Sequence, residues 1–134
     1  VADSHLVLAF DFGLRRIGVA SGYSGLQSAS PLGILNAREG QPDWTEVARL
    51  LETWAPAYLV IGLPTHMDGT ETDITARARK FANRLHGRFG LPVHLVDERA
   101  SSQEAESYRV AAGAIDHQAA ARILARWWAE QHLT

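Results

Sequence analysis

Residues Tyr58–Leu63 read YLVIGL, an uncharged run set between Pro56 and Pro64. A continuous apolar run bounded by turn residues predicts a strand buried on both faces. Such a strand needs elements packed above and below it, so this segment points to a layered α/β protein. Upstream, Leu6–Phe12 is apolar up to its carboxylate, and Arg16–Tyr23 alternates Ile17, Val19 and Ser21 against Gly18 and Ala20. Two such runs joined by a turn containing Gly13 read as a β-hairpin. Ala29–Asn36 is a third, weaker strand, with Pro31 marking an edge or a bulge at its start. Val93–Val96 is a short strand downstream.

Helical periodicity fills the intervals. Asp43 reads as an N-cap with Glu46 three residues on, followed by Val47, Leu50, Leu51 and Trp54 before Pro56. Met67–Thr70 is a polar turn, and a long helix over Thr72–Arg88 closes at Gly90 and Pro92. From Ser101 or Ser102 the chain reads helical to its end, interrupted near Gly113–Asp116. The order βββαβαβαα predicts a mixed sheet covered by helices on both faces. With 134 residues, no repeat and no linker, one domain over residues 1–134 is expected. The absence of cysteine removes disulfides and thiolate zinc sites. No run approaches the ~18 apolar residues of a membrane span, and Val1–His5 lacks a signal-peptide start. A soluble, cytoplasmic protein is the expectation.

Carboxylates at strand ends are the candidate chemistry. Asp11 closes an otherwise apolar strand, where a charge is costly unless a partner or a metal satisfies it; capping the turn through Gly13 is its simpler role. Asp97 and Glu98 follow directly on Val93–Val96. Ligands gather at the carboxyl ends of parallel strands, although either acid could instead cap the next helix. Asp116 opens the last helix, a position the helix dipole favours for any acid, while Ala119, Ala120 and Ala121 let that helix approach the sheet. Carboxylates without cysteine suit a hard cation, Mg²⁺ or Mn²⁺. Two such ions roughly 4 Å apart serve phosphodiester hydrolysis. His117 reads as a surface residue beside Asp116.

The net charge of −2 argues mildly against a nucleic-acid binder, but its distribution is uneven. Only Lys80 among the 13 basic residues is a lysine. Arg77, Lys80, Arg84 and Arg88 recur at helical spacing along one stripe, with Ile74, Ala78, Phe81, Leu85 and Phe89 forming the adjacent apolar stripe. No acid falls between Ala76 and Gly90. The stripe is either a solvated face or a contact for phosphates.

Four segments together carry a family resemblance: LAFDFGLRRIGVASG (Leu8–Gly22), VIGLPTHMDGTETDITARARKFANRLHGRFG (Val60–Gly90), VDERASSQEAE (Val96–Glu106) and IDHQAAARIL (Ile115–Leu124). In order and over nearly the whole chain, they resemble the YqgF/RuvX family. That family is described as Holliday junction resolvases and as nucleases acting on the 5′ end of pre-16S rRNA. The resemblance implies a ribonuclease-H-like α/β fold: a five-stranded mixed sheet, its first three strands antiparallel, flanked by helices. It implies that Asp11, Glu98 and Asp116 are catalytic and hold Mg²⁺ or Mn²⁺. Asp97 would support the loop, and Arg99 would orient a carboxylate or phosphate. Between the D-E-R motif and Asp116 relatives usually carry a longer basic loop, shortened here to Tyr108–Ile115 with Arg109 as its one charge.

The expected function is metal-dependent endonucleolytic processing of pre-16S rRNA in ribosome biogenesis, with ribosomal particles as partners and a monomer or weak dimer as the working form. Arg15 or Arg16, beside Asp11, and the stripe of Arg77, Lys80, Arg84 and Arg88 would follow the nucleic-acid backbone. Resolution of branched DNA is the alternative, and a non-catalytic RNA- or ribosome-binding module the alternative of another class. Asp-Phe-Gly with Gly18 also resembles the phosphate hairpin of actin-like ATPases, but those need two such domains.

Overall fold

The computed structural model describes residues 4–99 and 117–132. Within them the hairpin forms where the alternation predicts it: β1 (Leu6–Asp11) pairs antiparallel with β2 (Arg16–Tyr23), from Leu6 opposite Tyr23 to Asp11 opposite Gly18. β3 (Ser30–Arg38) pairs antiparallel with β2, and the register slips between Val19–Gly33 and Ala20–Pro31. The proline thus sits at a bulge, where its missing N–H is tolerated.

Among the described residues the expected five strands become six. Gln41–Pro42 forms β4 against Ala37 and Arg38. The turn between them is made by Glu39 and Gly40, both at positive φ, and a Cβ on Gly40 would lie 2.7 Å from the Phe12 ring. A two-residue strand has no periodicity to read, so only the backbone pairing reveals it.

Helix α1 (Trp44–Trp54) is capped by the Asp43 carboxylate, which accepts from the Thr45 amide at 2.9 Å. Ala55, in the left-handed conformation, ends it before Pro56. β5 (Tyr58–Thr65) then enters beside β1, parallel to it. Helix α2 (Asp73–Phe89) begins with a reciprocal Thr72–Thr75 capping box and ends at Gly90, φ 71°. It returns the chain to β6 (Val93–Arg99), parallel to β5. The final described element is α3 (His117–His132). The sheet order is β4-β3-β2-β1-β5-β6.

Two cores separate on the two faces. Leu8, Phe10, Phe12, Ile17, Val19, Leu59, Ile61 and Leu63 pack with Val47 and Leu51 of α1 and Phe81 and Leu85 of α2. Phe81 is the hub, with Phe10, Phe12 and Trp44 rings centred 5.8, 5.4 and 6.0 Å away. On the other face Val7, Ala9, Val60 and Val96 pack against Ile123, Leu124 and Trp128 of α3. Strand residues alternate between faces, so these cores also assign every polar residue on the central strands to a side. No helix among the described residues is long and apolar enough to cross a membrane.

Candidate functional site

Asp11 follows Val7 and Ala9 in alternation and therefore lies on the α3 face, where it is 3 % exposed. Its sheet neighbours are Gly18 on β2 and Gly62 on β5. Glu98 follows Val96 on the same face of β6. A Cβ built on Gly62 would stand 3.1 Å from Glu98 Cγ and 2.9 Å from Ile123 Cγ1. Glu98 therefore lies against Gly62, the β5 neighbour of Asp11, and Ile123 closes the same gap from above. A glycine inside an apolar strand often marks a close approach, the signal by which Gly62 could have been singled out from sequence.

Asp97 goes the other way. It shares the α1/α2 face and accepts a 2.6 Å hydrogen bond from Thr65 Oγ1. The Thr75 hydroxyl donates to the Pro64 carbonyl, tying the first turn of α2 to the end of β5. These contacts clamp the carboxyl ends of β5 and β6 from below, leaving Glu98 on the upper side.

Helix α3 is oriented by its aromatic end. The Trp127 indole N–H donates to the Tyr58 hydroxyl at 3.1 Å, and the Trp128 N–H to the Ser28 carbonyl at 2.8 Å. His94 stacks on Trp127 with ring centroids 4.9 Å apart. Tyr58 starts β5, so the C-terminal half of α3 lies at the amino ends of the parallel strands. The N-terminus of α3 consequently lies towards their carboxyl ends, the side of Asp11 and Glu98, where its dipole favours anions. Asp116, immediately before α3, falls outside the described residues, as does the shortened segment Tyr108–Ile115.

The basic residues divide between faces. Arg16 alternates with Gly18 and Ala20 and so shares the face of Asp11, one pair further along β2 and opposite Asn36. Arg15 precedes that strand in the exposed turn, where its carbonyl accepts from the Ala37 amide at 2.7 Å. Arg77, Lys80, Arg84 and Arg88 are exposed on α2, across the sheet from Asp11 and Glu98. Arg88 also covers the Trp44 ring, its guanidinium carbon 4.3 Å from the centroid. Arg99 ends β6, and its side chain lies outside the described ones.

Beside the site, the turn after β5 is locally braced. Asp68 accepts from the Thr70 hydroxyl at 2.6 Å and amide at 2.9 Å, and these bonds hold its carboxyl below the usual range. Glu71 bridges back to Thr65 and receives a two-pronged Arg79 guanidinium at 2.9 and 3.0 Å. That contact lowers the Glu71 carboxyl and raises Arg79.

No three His, Cys, Asp or Glu side chains among the described residues come together as a metal cage. The described donor set, a buried Asp11 and a Glu98 on the same face of the sheet, is of the oxygen-ligand kind that suits a hard divalent cation.

The architecture is ribonuclease-H-like. It aligns with Thermus thermophilus RuvC at TM-score 0.56 and 14 % identity, covering 96 % of this chain and 97 % of that one. T. thermophilus RuvC in complex with a Holliday junction substrate aligns at TM-score 0.53 and 15 % identity, over 95 % of each chain. The chain belongs to the RuvX family, described as Holliday junction resolvase, whose sequence profile matches residues 5–130. A Chromohalobacter salexigens relative is 61 % identical over 105 residues, which cover 78 % of this chain and 71 % of the relative. A Pectobacterium carotovorum relative is 48 % identical over 137 residues, 96 % of this chain and 99 % of the relative. Both carry the name "Putative pre-16S rRNA nuclease".

Proposed function

We propose that this protein, as one domain over residues 1–134, is a divalent-metal-dependent endonuclease that processes the 5′ end of pre-16S rRNA. The observation that supports the reading is that Asp11 and Glu98 share one sheet face, with Gly62 between their strands, at the strand ends towards which α3 points its N-terminus. The names of the relatives favour rRNA as the substrate. Ribosomal particles in the cytoplasm would be its setting.

Asp11, Glu98 and Asp116 would hold Mg²⁺ or Mn²⁺. Such an ion supplies Lewis-acid polarisation of a phosphoryl oxygen and a more acidic water. The chain does the positioning. β1 and β6 fix the two carboxylates on one face, and the Thr65–Asp97 bond braces the strand end from the other. Arg16, on the same face as Asp11, would neutralise a phosphate entering from the β2 side, and Arg15 would steer from the turn. Arg99, ending the strand of Glu98, would orient a carboxylate or phosphate.

Branched DNA is the second reading, favoured by the family description and by the RuvC likeness. The two part in one assay: a labelled pre-16S 5′ fragment and a synthetic four-way junction, each with Mn²⁺, Mg²⁺ or EDTA. Metal-dependent cutting of the RNA alone supports processing by a monomer. Cutting of the junction alone, by a two-fold dimer, replaces it with resolution. Binding of both without cutting, unchanged in Asp11→Asn, replaces it with a non-catalytic binding module.

A further inference from the structure

The cations of α2 cannot contact a strand lying on Asp11, because the whole sheet stands between them. Arg77, Lys80 and Arg84 nevertheless form an exposed ridge, spaced by three and four residues, with Arg88 continuing it over Trp44. From Arg77 to Arg88 this ridge extends about 16 Å along the helix axis. Solvated helix faces usually mix signs. Here the only acid on the helix is Asp73, in its first turn, and Arg79, which pairs with Glu71, points away from the ridge. A chain of net charge −2 has therefore collected a run of positive charge on one helix face.

The position of the ridge selects its occupant. α2 starts directly after the turn that ends β5, so Arg77 lies near the same sheet edge as Glu98, while Arg84 and Arg88 recede from that edge down the far face. A single extended strand at the carboxylates has no reason to double back. A rigid double helix flanking the cleavage point can reach past the edge and lie along α2. We infer that Arg77, Lys80 and Arg84 form a second docking surface, which grips the phosphate backbone of a double-helical arm of the RNA whose single-stranded part enters the carboxylate face. The inference rests on the proposed reading of an RNA substrate. It assigns the ridge to substrate selection and leaves bond cleavage to the opposite face.

The test compares two RNAs, a short single-stranded oligomer and the same sequence joined to a double-helical arm, by fluorescence anisotropy across a salt series. The proteins are the wild type, the triple variant Arg77→Gln/Lys80→Gln/Arg84→Gln, and Asp11→Asn. All three substituted cations are exposed, and thermal melting checks that the variant folds. The wild type should prefer the arm-bearing RNA. The triple variant should lose that preference, with Kd for the arm-bearing RNA raised about tenfold or more and the slope of log K against log salt reduced by about 2 to 3. Cleavage of the same RNAs in Mn²⁺ is read separately with the wild type and Asp11→Asn, and cutting that survives this substitution marks failure of the cleavage reading alone. Equal weakening of both RNAs would make the ridge a general steering charge and overturn the inference. An unchanged preference in the triple variant, or no preference in the wild type, would overturn it too.

Discussion

Asp97 and Glu98 are neighbours in the chain, yet β6 sends them to opposite faces of the sheet. Asp97 receives the Thr65 hydroxyl at 2.6 Å on the α2 side, whereas Glu98 lies over Gly62 on the α3 side. Strand alternation alone imposes this division of labour. The two acids should therefore fail differently. Asp97→Ala strips the Thr65 hydroxyl of its acceptor and should cost about 1–2 kcal/mol in urea unfolding. Glu98→Gln should leave unfolding nearly unchanged. It should raise the metal concentration for half-maximal cleavage by more than the roughly 10–100-fold that outer-shell changes cost. Equal effects on both measurements would remove the distinction.

Gly62 is the clearest packing test. A methyl group there meets Ile123 and Glu98 at once, and overpacking of this kind costs about 1–3 kcal/mol. Gly62→Ala should also displace Glu98, so cleavage measured well below the melting temperature should fall further than the folded fraction does. Gly87 is the control, being inside α2 with nothing within 4 Å of an added methyl. Gly87→Ala should stabilise the protein by about 0.5–1 kcal/mol.

Acid should loosen the turn after β5 first. Asp68 and Glu71 both titrate below their ordinary values of 3.8 and 4.5, because hydrogen bonds favour their charged forms. Near pH 4 the unfolded turn binds more protons than the folded one. The support these groups give is therefore present above that range and is lost as pH falls through their folded pKa values. Amide exchange should show Thr70 losing protection relative to the β1–β5 ladder between pH 6 and pH 3. Parallel loss in both places would contradict it.

Much of this organisation is legible in the residues. Helix α2 declares itself through its apolar stripe and through Gly90, and β5 through an uninterrupted apolar run. Asp11 and Glu98 stand out because a carboxylate ending an apolar strand needs a reason. The Thr72–Thr75 box escapes a sequence reading, because its N3 residue is threonine where glutamate or glutamine is the usual signal. What sequence could not supply is the assignment of faces. Arg15 and Arg16 are equivalent as charges, and only the register places Arg16 beside Gly18 on the side of Asp11. The stripe on α2 likewise reads as a solvated face or a phosphate contact, and only the fold shows that the sheet stands between it and the acids.

The most direct test of the central claim is cleavage of a labelled pre-16S 5′ fragment by the wild type and by Asp11→Asn, with Mn²⁺ and with EDTA. Asparagine keeps the shape of the buried side chain and removes its charge. The account predicts cutting by the wild type in Mn²⁺, none in EDTA, and a loss of at least about a hundredfold in a folded Asp11→Asn, comparable to losing one preorganised electrostatic group. Cutting that persists in EDTA, or that Asp11→Asn retains, would contradict it.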